Sequence, residues 1–134
     1  NITSKDLGDM WIHESFTNYS ESLFIDKFYG KQAGQEYVHG TRLLINNDRP
    51  IVGPYNVNKE GSSDMYYKGG NLLNMVRTII NDDEKWRSIL RGLNKTFYHQ
   101  TVTYDDIVNY ICDQSGINLK PVFDQYLHYR NLPI

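Results

Sequence analysis

The sequence contains few of the features that define several common protein classes. Cys112 is the only cysteine in 134 residues, which excludes both an intrachain disulfide framework and a cysteine-based zinc cluster. No apolar run reaches membrane-spanning length, so no membrane segment is predicted. A formal net charge of -2 gives no reason to expect a nucleic acid as partner. No targeting signal is recognised, and the compartment stays open.

The residues that are present favour an all-α fold of about six helices. Apolar and aromatic side chains recur at helical spacing, with loops marked by Gly and Pro. No strong strand signal appears. The pattern predicts helices over 9–29, 31–46 and about 64–80, a loop over 47–62, and three further helices capped by Asp82 or Asp83, by Thr103 and by Asn118. Gly116 is the expected end of the fifth helix.

The apolar faces of these helices predict the core. The second helix is expected to bury Tyr37, Val38, Leu43 and Leu44, and Cys112 is expected to pack as a small core residue.

One carboxylate stands out in the first helix. Glu14 lies in an aromatic-rich stretch, where a charge is costly without a cation, hydrogen bonds or a metal. His13 and Glu14 could begin a His-Glu-x-x-His zinc helix, but position 17 is Thr and the motif is absent. The other histidines have no ligand spacing. The sequence therefore holds no self-contained zinc site.

The same stretch resembles a known segment. Asp9 to Tyr19 is similar to the region around the third zinc ligand in the aminopeptidase N family of gluzincins, which also includes leukotriene hydrolase. The usual family form is Leu-Trp-Leu-Asn-Glu-Gly-Phe-Ala-x-Tyr, in which the Glu binds the metal. The matching positions are Trp11, Glu14, Phe16 and Tyr19, whereas His13 replaces the usual Asn and Ser15 the usual Gly.

A second motif carries the same resemblance. Tyr66-Tyr67-Lys68-Gly69-Gly70 is similar to the family's Tyr-x-Lys-Gly-(Ala/Gly), whose first Tyr is catalytic. The resemblance implies that Tyr66 stabilises the oxyanion formed during peptide hydrolysis. It also implies that Glu14 is a zinc ligand.

The resemblance further implies a fold and an activity. Residues 1–134 are expected to be the helical C-terminal part of a thermolysin-like zincin catalytic domain, without the upstream His-Glu-x-x-His helix. The intact enzyme would hold one zinc ion and remove N-terminal residues from peptides with a free N-terminus. This chain alone is expected to be inactive and free of zinc.

Three further residues are candidates for the surroundings of the metal. Glu21 lies two turns after Glu14 on the same helical face. It is expected either to orient a zinc-bound His or to be a surface carboxylate. His13 is expected to line the cleft or to support the metal site. Lys68 is expected to be structural, as a partner in an ion pair, or else to face the cleft.

Two other functions are compatible with the same residues. One is a non-catalytic helical interaction module, and the other is an epoxide hydrolase of the leukotriene type. A domain cut at this point would leave apolar surface on the first helix bare, so self-association is also expected.

Overall fold

A computed structural model describes residues 1–131 as six α-helices and one small sheet, which confirms the all-α prediction. The helices are α1 (Trp11–Tyr29), α2 (Lys31–Thr41), α3 (Tyr67–Ile80), α4 (Asp83–Thr96), α5 (Tyr104–Ser115) and α6 (Lys120–His128), and the strands are β1 (Ile2–Ser4) and β2 (Gln100–Val102). Three short 3-10 helices cover Leu7–Asp9, Arg42–Leu44 and Ser63–Met65. None of the helices in residues 1–131 is long and apolar enough to span a bilayer.

Several helix ends are stabilised by the predicted residues. The side chain of Asp82 accepts a hydrogen bond from the Lys85 amide and caps α4. Thr103 and Asp106 form a capping box that opens α5. That helix ends at Gly116, whose φ of 74° is left-handed and suits glycine.

The second helix is shorter than predicted. It ends at Thr41 rather than at residue 46, and Arg42–Leu44 continue as a 3-10 turn. The tighter turn rotates the chain, so that Leu43 is 91% exposed and Leu44 is exposed as well. The prediction that these two leucines join the core is therefore wrong.

The sheet was not predicted. β1 and β2 pair in parallel, with Ile2 opposite Gln100 and Ser4 opposite Val102. Each strand has only three residues, too few to show an alternation of apolar and polar side chains. Most of the chain also separates the two strands in sequence. Lys5 extends the contact by donating its amide to the carbonyl of Val102 at 2.8 Å.

The last helix starts one residue later than Asn118 predicts. Leu119 is its N-cap residue, and Pro121 lies in the first turn as expected. Asn118 instead accepts a hydrogen bond from the Lys120 amide at 3.3 Å.

The core forms where α1 and α3 cross and where α4, α5 and α6 pack onto them. Its largest fully buried side chains include Trp11, Trp86, Tyr19, Phe123, Leu72 and Leu73. Trp86 Nε1 donates to the Tyr19 hydroxyl at 3.1 Å, which satisfies a buried polar pair. Cys112 is partly buried against this core.

Candidate functional site

The first turn of α1 is held by a buried carboxylate just before it. Asp9 accepts hydrogen bonds from Trp11 Nε1 at 3.2 Å, the Tyr55 hydroxyl at 2.9 Å and the Tyr104 amide at 3.0 Å. These hydrogen bonds join the start of α1 to α5 and to the loop that contains Tyr55. Glu14 is partly buried in the first turn of α1. These hydrogen bonds therefore fix the part of the helix that carries it.

Tyr66 lies at the junction between the 3-10 helix Ser63–Met65 and α3. Its amide donates to the carbonyl of Ser63 at 3.2 Å, and its carbonyl accepts from the Gly70 amide at 2.8 Å. The backbone is thus held on both sides of the junction. The Tyr66 side chain remains 42% exposed.

The two motifs meet because α1 and α3 approach closely. The Ser15 hydroxyl donates to the carbonyl of Met65 at 2.7 Å, and a Cβ placed on Gly69 would lie 1.9 Å from Ser15 Oγ. Glu14 directly precedes Ser15, and Tyr66 directly follows Met65, so both candidate residues lie next to this contact in sequence. Desolvation raises the pKa of Tyr66, and the negative charge of Glu14 raises it further.

Comparison with known proteins identifies the family. Residues 1–126 match the family model described as the peptidase family M1 domain. The chain belongs to this family. Among curated relatives, endoplasmic reticulum aminopeptidase 1 of Mus musculus is 24% identical over 127 residues, which cover 86% of this chain and 14% of the relative. Endoplasmic reticulum aminopeptidase 2 of Homo sapiens is 23% identical over 116 residues, covering 79% and 12%.

Solved M1 structures have the same fold. An M1 zinc metallopeptidase mutant from Deinococcus radiodurans, bound to a Tyr-Ser-Ala substrate, aligns with a TM-score of 0.79 and 22% identity over 96% of this chain and 29% of its own. A two-domain M1 zinc metallopeptidase mutant bound to L-tryptophan gives 0.83 and 23% over 99% and 30%. The chain thus spans under a third of these structures and about a seventh of the curated relatives.

Glu14 is the carboxylate that the sequence motifs suggest as a metal ligand. Residues 1–131 contain no group of three or more His, Cys, Asp and Glu side chains that could hold an ion. Glu14 is partly exposed, and no ion pair within the described residues includes it. A carboxylate oxygen in this setting fits zinc as one ligand of several.

Buried charges flank Tyr66 on both sides. The carboxylate of Asp64 accepts from the amides of Asn46 and Asn47 at 2.8 and 2.6 Å. Lys68 is completely buried, and its Nζ donates to the carbonyls of Tyr129 and Arg130 at 2.9 and 2.8 Å.

Lys68 therefore binds main-chain oxygens and does not face a cleft. Burial lowers its pKa, and the charge of Asp64 partly offsets that effect. The buried ammonium joins the start of α3 to the chain that follows α6, which fits the structural role expected for it.

His13 and Glu21, both on α1, have defined partners on neighbouring elements. His13 Nε2 accepts a hydrogen bond from the Ser4 amide at 2.9 Å, so the imidazole ties α1 to β1. Glu21 is exposed and accepts from the Tyr37 hydroxyl, which raises the pKa of Tyr37 to about 12. Both contacts hold neighbouring elements onto the helix that carries Glu14.

A groove with a mixed lining, here called the apolar groove after its larger side chains, runs beside α1. It has a volume of about 380 Å³, and its walls come from α1, α4, α5 and the N-terminal strand region. The apolar lining includes Ile12, Phe16, Leu23, Leu90 and Leu93, with His13 at its edge. Neither Glu14 nor Tyr66 lines this groove.

Sequence reasoning missed Asp9 and Asp64, the two buried carboxylates that hold the motifs. Each lies two residues before the aromatic residue that opens its motif, Trp11 or Tyr66. An acidic residue just ahead of an aromatic helix start was the available signal. Apart from Trp11, however, the hydrogen-bond partners of the two carboxylates are distant in sequence and could not be inferred from local pattern.

Proposed function

We propose that this chain supplies one metal ligand and the oxyanion-stabilising hydroxyl of a zinc aminopeptidase. Glu14 is the ligand, and Tyr66 is the catalytic hydroxyl. The observation that supports this most directly is the close approach of the two separate motifs, in which desolvation and the negative charge of Glu14 raise the pKa of Tyr66. The Ser15–Met65 hydrogen bond beside them spans 50 residues of sequence.

The chemistry assigns a different role to each side chain. Bound zinc would polarise the scissile carbonyl and lower the pKa of a water molecule. Glu14 would contribute a carboxylate oxygen from the first turn of α1. Tyr66, with a raised pKa, keeps its proton at neutral pH and donates a hydrogen bond as negative charge develops on the substrate oxygen.

The remaining groups would come from outside this chain. Residues 1–134 contain no His-Glu-x-x-His motif, so in an M1 peptidase two ligands and the general base would come from other residues. We therefore expect the 134-residue chain alone to show no aminopeptidase turnover and no stoichiometric zinc. Turnover of an aminoacyl-coumarin by the purified chain would contradict the assignment.

The proposed substrates are peptides with a free N-terminus. Both curated relatives carry the name aminopeptidase, and one M1 structure holds a tripeptide. These matches support a peptidase over an interaction module or an epoxide hydrolase.

Substitution of Tyr66 tests the catalytic assignment. In the zinc-loaded peptidase that includes these residues, Tyr66→Phe should lower kcat about 100-fold or more with little change in KM, because a transition-state donor is lost. Tyr98→Phe is the matched control, since Tyr98 is also exposed and lies just beyond the end of α4. Equal kcat values for the two variants would overturn the role of Tyr66.

We also propose that the isolated chain self-associates through α1. Phe24 and Phe28 pack with ring centroids 4.6 Å apart, yet are 56% and 66% exposed. The apolar groove lies on the same helix, nearer its N-terminal end. Two copies with antiparallel α1 helices would bring the aromatic pair of each near the groove of the other.

A further inference from the structure

The geometry points to Ser15 as a positioning residue that sets Tyr66 relative to Glu14, an inference that rests on the function proposed above for those two side chains. Ser15 is fully buried and follows Glu14 directly in α1. Its hydroxyl donates a hydrogen bond to the carbonyl of Met65, the residue directly before Tyr66. The Ser15 side chain therefore links α1 to the segment just before α3. Glu14 lies next to this link on α1, and Tyr66 lies next to it on the other segment.

The hydrogen bond holds the carbonyl at the end of the 3-10 helix. Met65 is the last residue of that helix, and Tyr66 follows it directly before α3. The Ser15 hydroxyl donates to the Met65 carbonyl at 2.7 Å in a buried setting. Removing the hydroxyl would take a hydrogen-bond donor from a buried acceptor, which favours movement of the Met65–Tyr66 segment.

Packing around Ser15 allows little alternative placement. A Cβ on Gly69 would lie 1.9 Å from Ser15 Oγ, and one on Gly70 would lie 2.5 Å from Asn18 Oδ1. The hydroxyl thus occupies space left by a glycine on the facing helix.

The exposure of Tyr66 makes this anchor important. A ring that is 42% exposed has few packing partners of its own to define its direction. Its orientation then depends on the backbone at the 3-10 to α junction. Ser15 ties that backbone to α1, and so to Glu14.

Fluorine NMR of the chain labelled with 3-fluorotyrosine tests this link without a metal. The Tyr66 resonance, one of eleven, is assigned by its loss in Tyr66→Phe. Ser15→Ala should shift or broaden that resonance. Ser22→Ala is the matched control, because Ser22 is a buried serine of α1 whose hydroxyl bonds within its own helix, to the carbonyl of Tyr19 at 2.9 Å.

The control should leave the Tyr66 resonance unchanged. Ser15→Gly, which adds no volume, should reproduce the effect of Ser15→Ala. The inference is wrong if both Ser15 variants keep the original Tyr66 resonance, or if Ser22→Ala alters it equally. It is also wrong if neither Ser15 variant folds by circular dichroism while Ser22→Ala does, since Ser15 would then be a core-stability residue.

Kinetics of the zinc-loaded peptidase provide a second readout. Ser15→Ala should lower kcat about 10-fold or more with KM unchanged, because misplacement of Tyr66 affects the transition state. Ser22→Ala should leave both constants unchanged. If Tyr66→Phe itself leaves kcat unchanged, the proposed function fails, and the fluorine spectra still decide whether Ser15 positions Tyr66.

Discussion

A Cβ on Gly69 would lie 1.9 Å from Ser15 Oγ and 2.7 Å from Ser15 Cβ, so the crossing of α1 and α3 depends on glycine at position 69. Gly69→Ala should lower the free energy of unfolding by about 2 kcal/mol, because overpacking outweighs the gain in helix propensity. Gly40→Ala in α2 is the control, since nothing lies within 4 Å of its Cβ. Urea denaturation measures both.

The control should be neutral or stabilising by up to about 1 kcal/mol. The double variant Ser15→Gly with Gly69→Ala should recover part of the loss, because it removes the two nearest atoms and leaves the Ser15 Cα at 3.3 Å from the new methyl group. No recovery would mean that Gly69 matters for a reason other than its contact with Ser15.

Arg77 joins three helices through two carboxylates. Its Nη2 lies 2.8 Å from Asp26 of α1, and its Nε lies 2.8 Å from Asp83 of α4. Arg77→Met should destabilise the fold by about 2 to 3 kcal/mol, because Asp26 loses its cation and Asp83 keeps Lys31 but loses its main partner. Arg87→Met, which breaks an exposed pair with Glu84, should cost less than about 0.5 kcal/mol. Similar losses for both would exclude a special role for Arg77.

The same network should make stability depend on acid pH. Hydrogen bonding to Arg77 holds the pKa of Asp83 well below its ordinary value of 3.8. As the pH falls, the unfolded chain therefore binds a proton at Asp83 before the folded chain does, and stability falls with pH. The contribution is present above about pH 4 and is lost progressively below it.

Urea midpoints between pH 6 and pH 2 should show this effect. The decline below about pH 4 should be steeper in the parent chain than in Arg77→Met, whose Asp83 has lost its main partner. Parallel curves for the two proteins would contradict the assignment to Asp83.

Self-association predicts a concentration-dependent mass. Sedimentation equilibrium of the isolated chain should show dimer, and the double variant Phe24→Ser with Phe28→Ser should shift it to monomer, because the exposed apolar pair is removed. Leu43→Ser is the control, since Leu43 is more exposed and lies outside α1. A parent chain that stays monomeric at all concentrations would show that α1 has no such role.

Much of the fold follows from local pattern, and the rest depends on distant contacts. Helical spacing and the capping residues Asp82 and Thr103 predicted where helices begin. The β1–β2 pair was not predictable, because three-residue strands carry no periodic signal and pair across the chain. The apolar pattern that predicted the second helix continues beyond the end of α2. The prediction was too long because a 3-10 turn changes which side chains point inward.

The candidate site divides in the same way. Glu14 and Tyr66 were recognisable because each lies in a motif with several matching neighbours. Asp64 and Lys68 act through main-chain atoms on distant loops, which local sequence does not reveal. The importance of Ser15 appears only when α1 and α3 are seen in contact.

Zinc content of the peptidase that includes these residues tests the central claim most directly. After dialysis, elemental analysis should find about one zinc per chain in the parent protein and in Glu36→Gln, an exposed glutamate of α2. Glu14→Gln should retain far less zinc at the same folded fraction, because a carboxylate ligand is lost. Full zinc retention in Glu14→Gln would contradict the account.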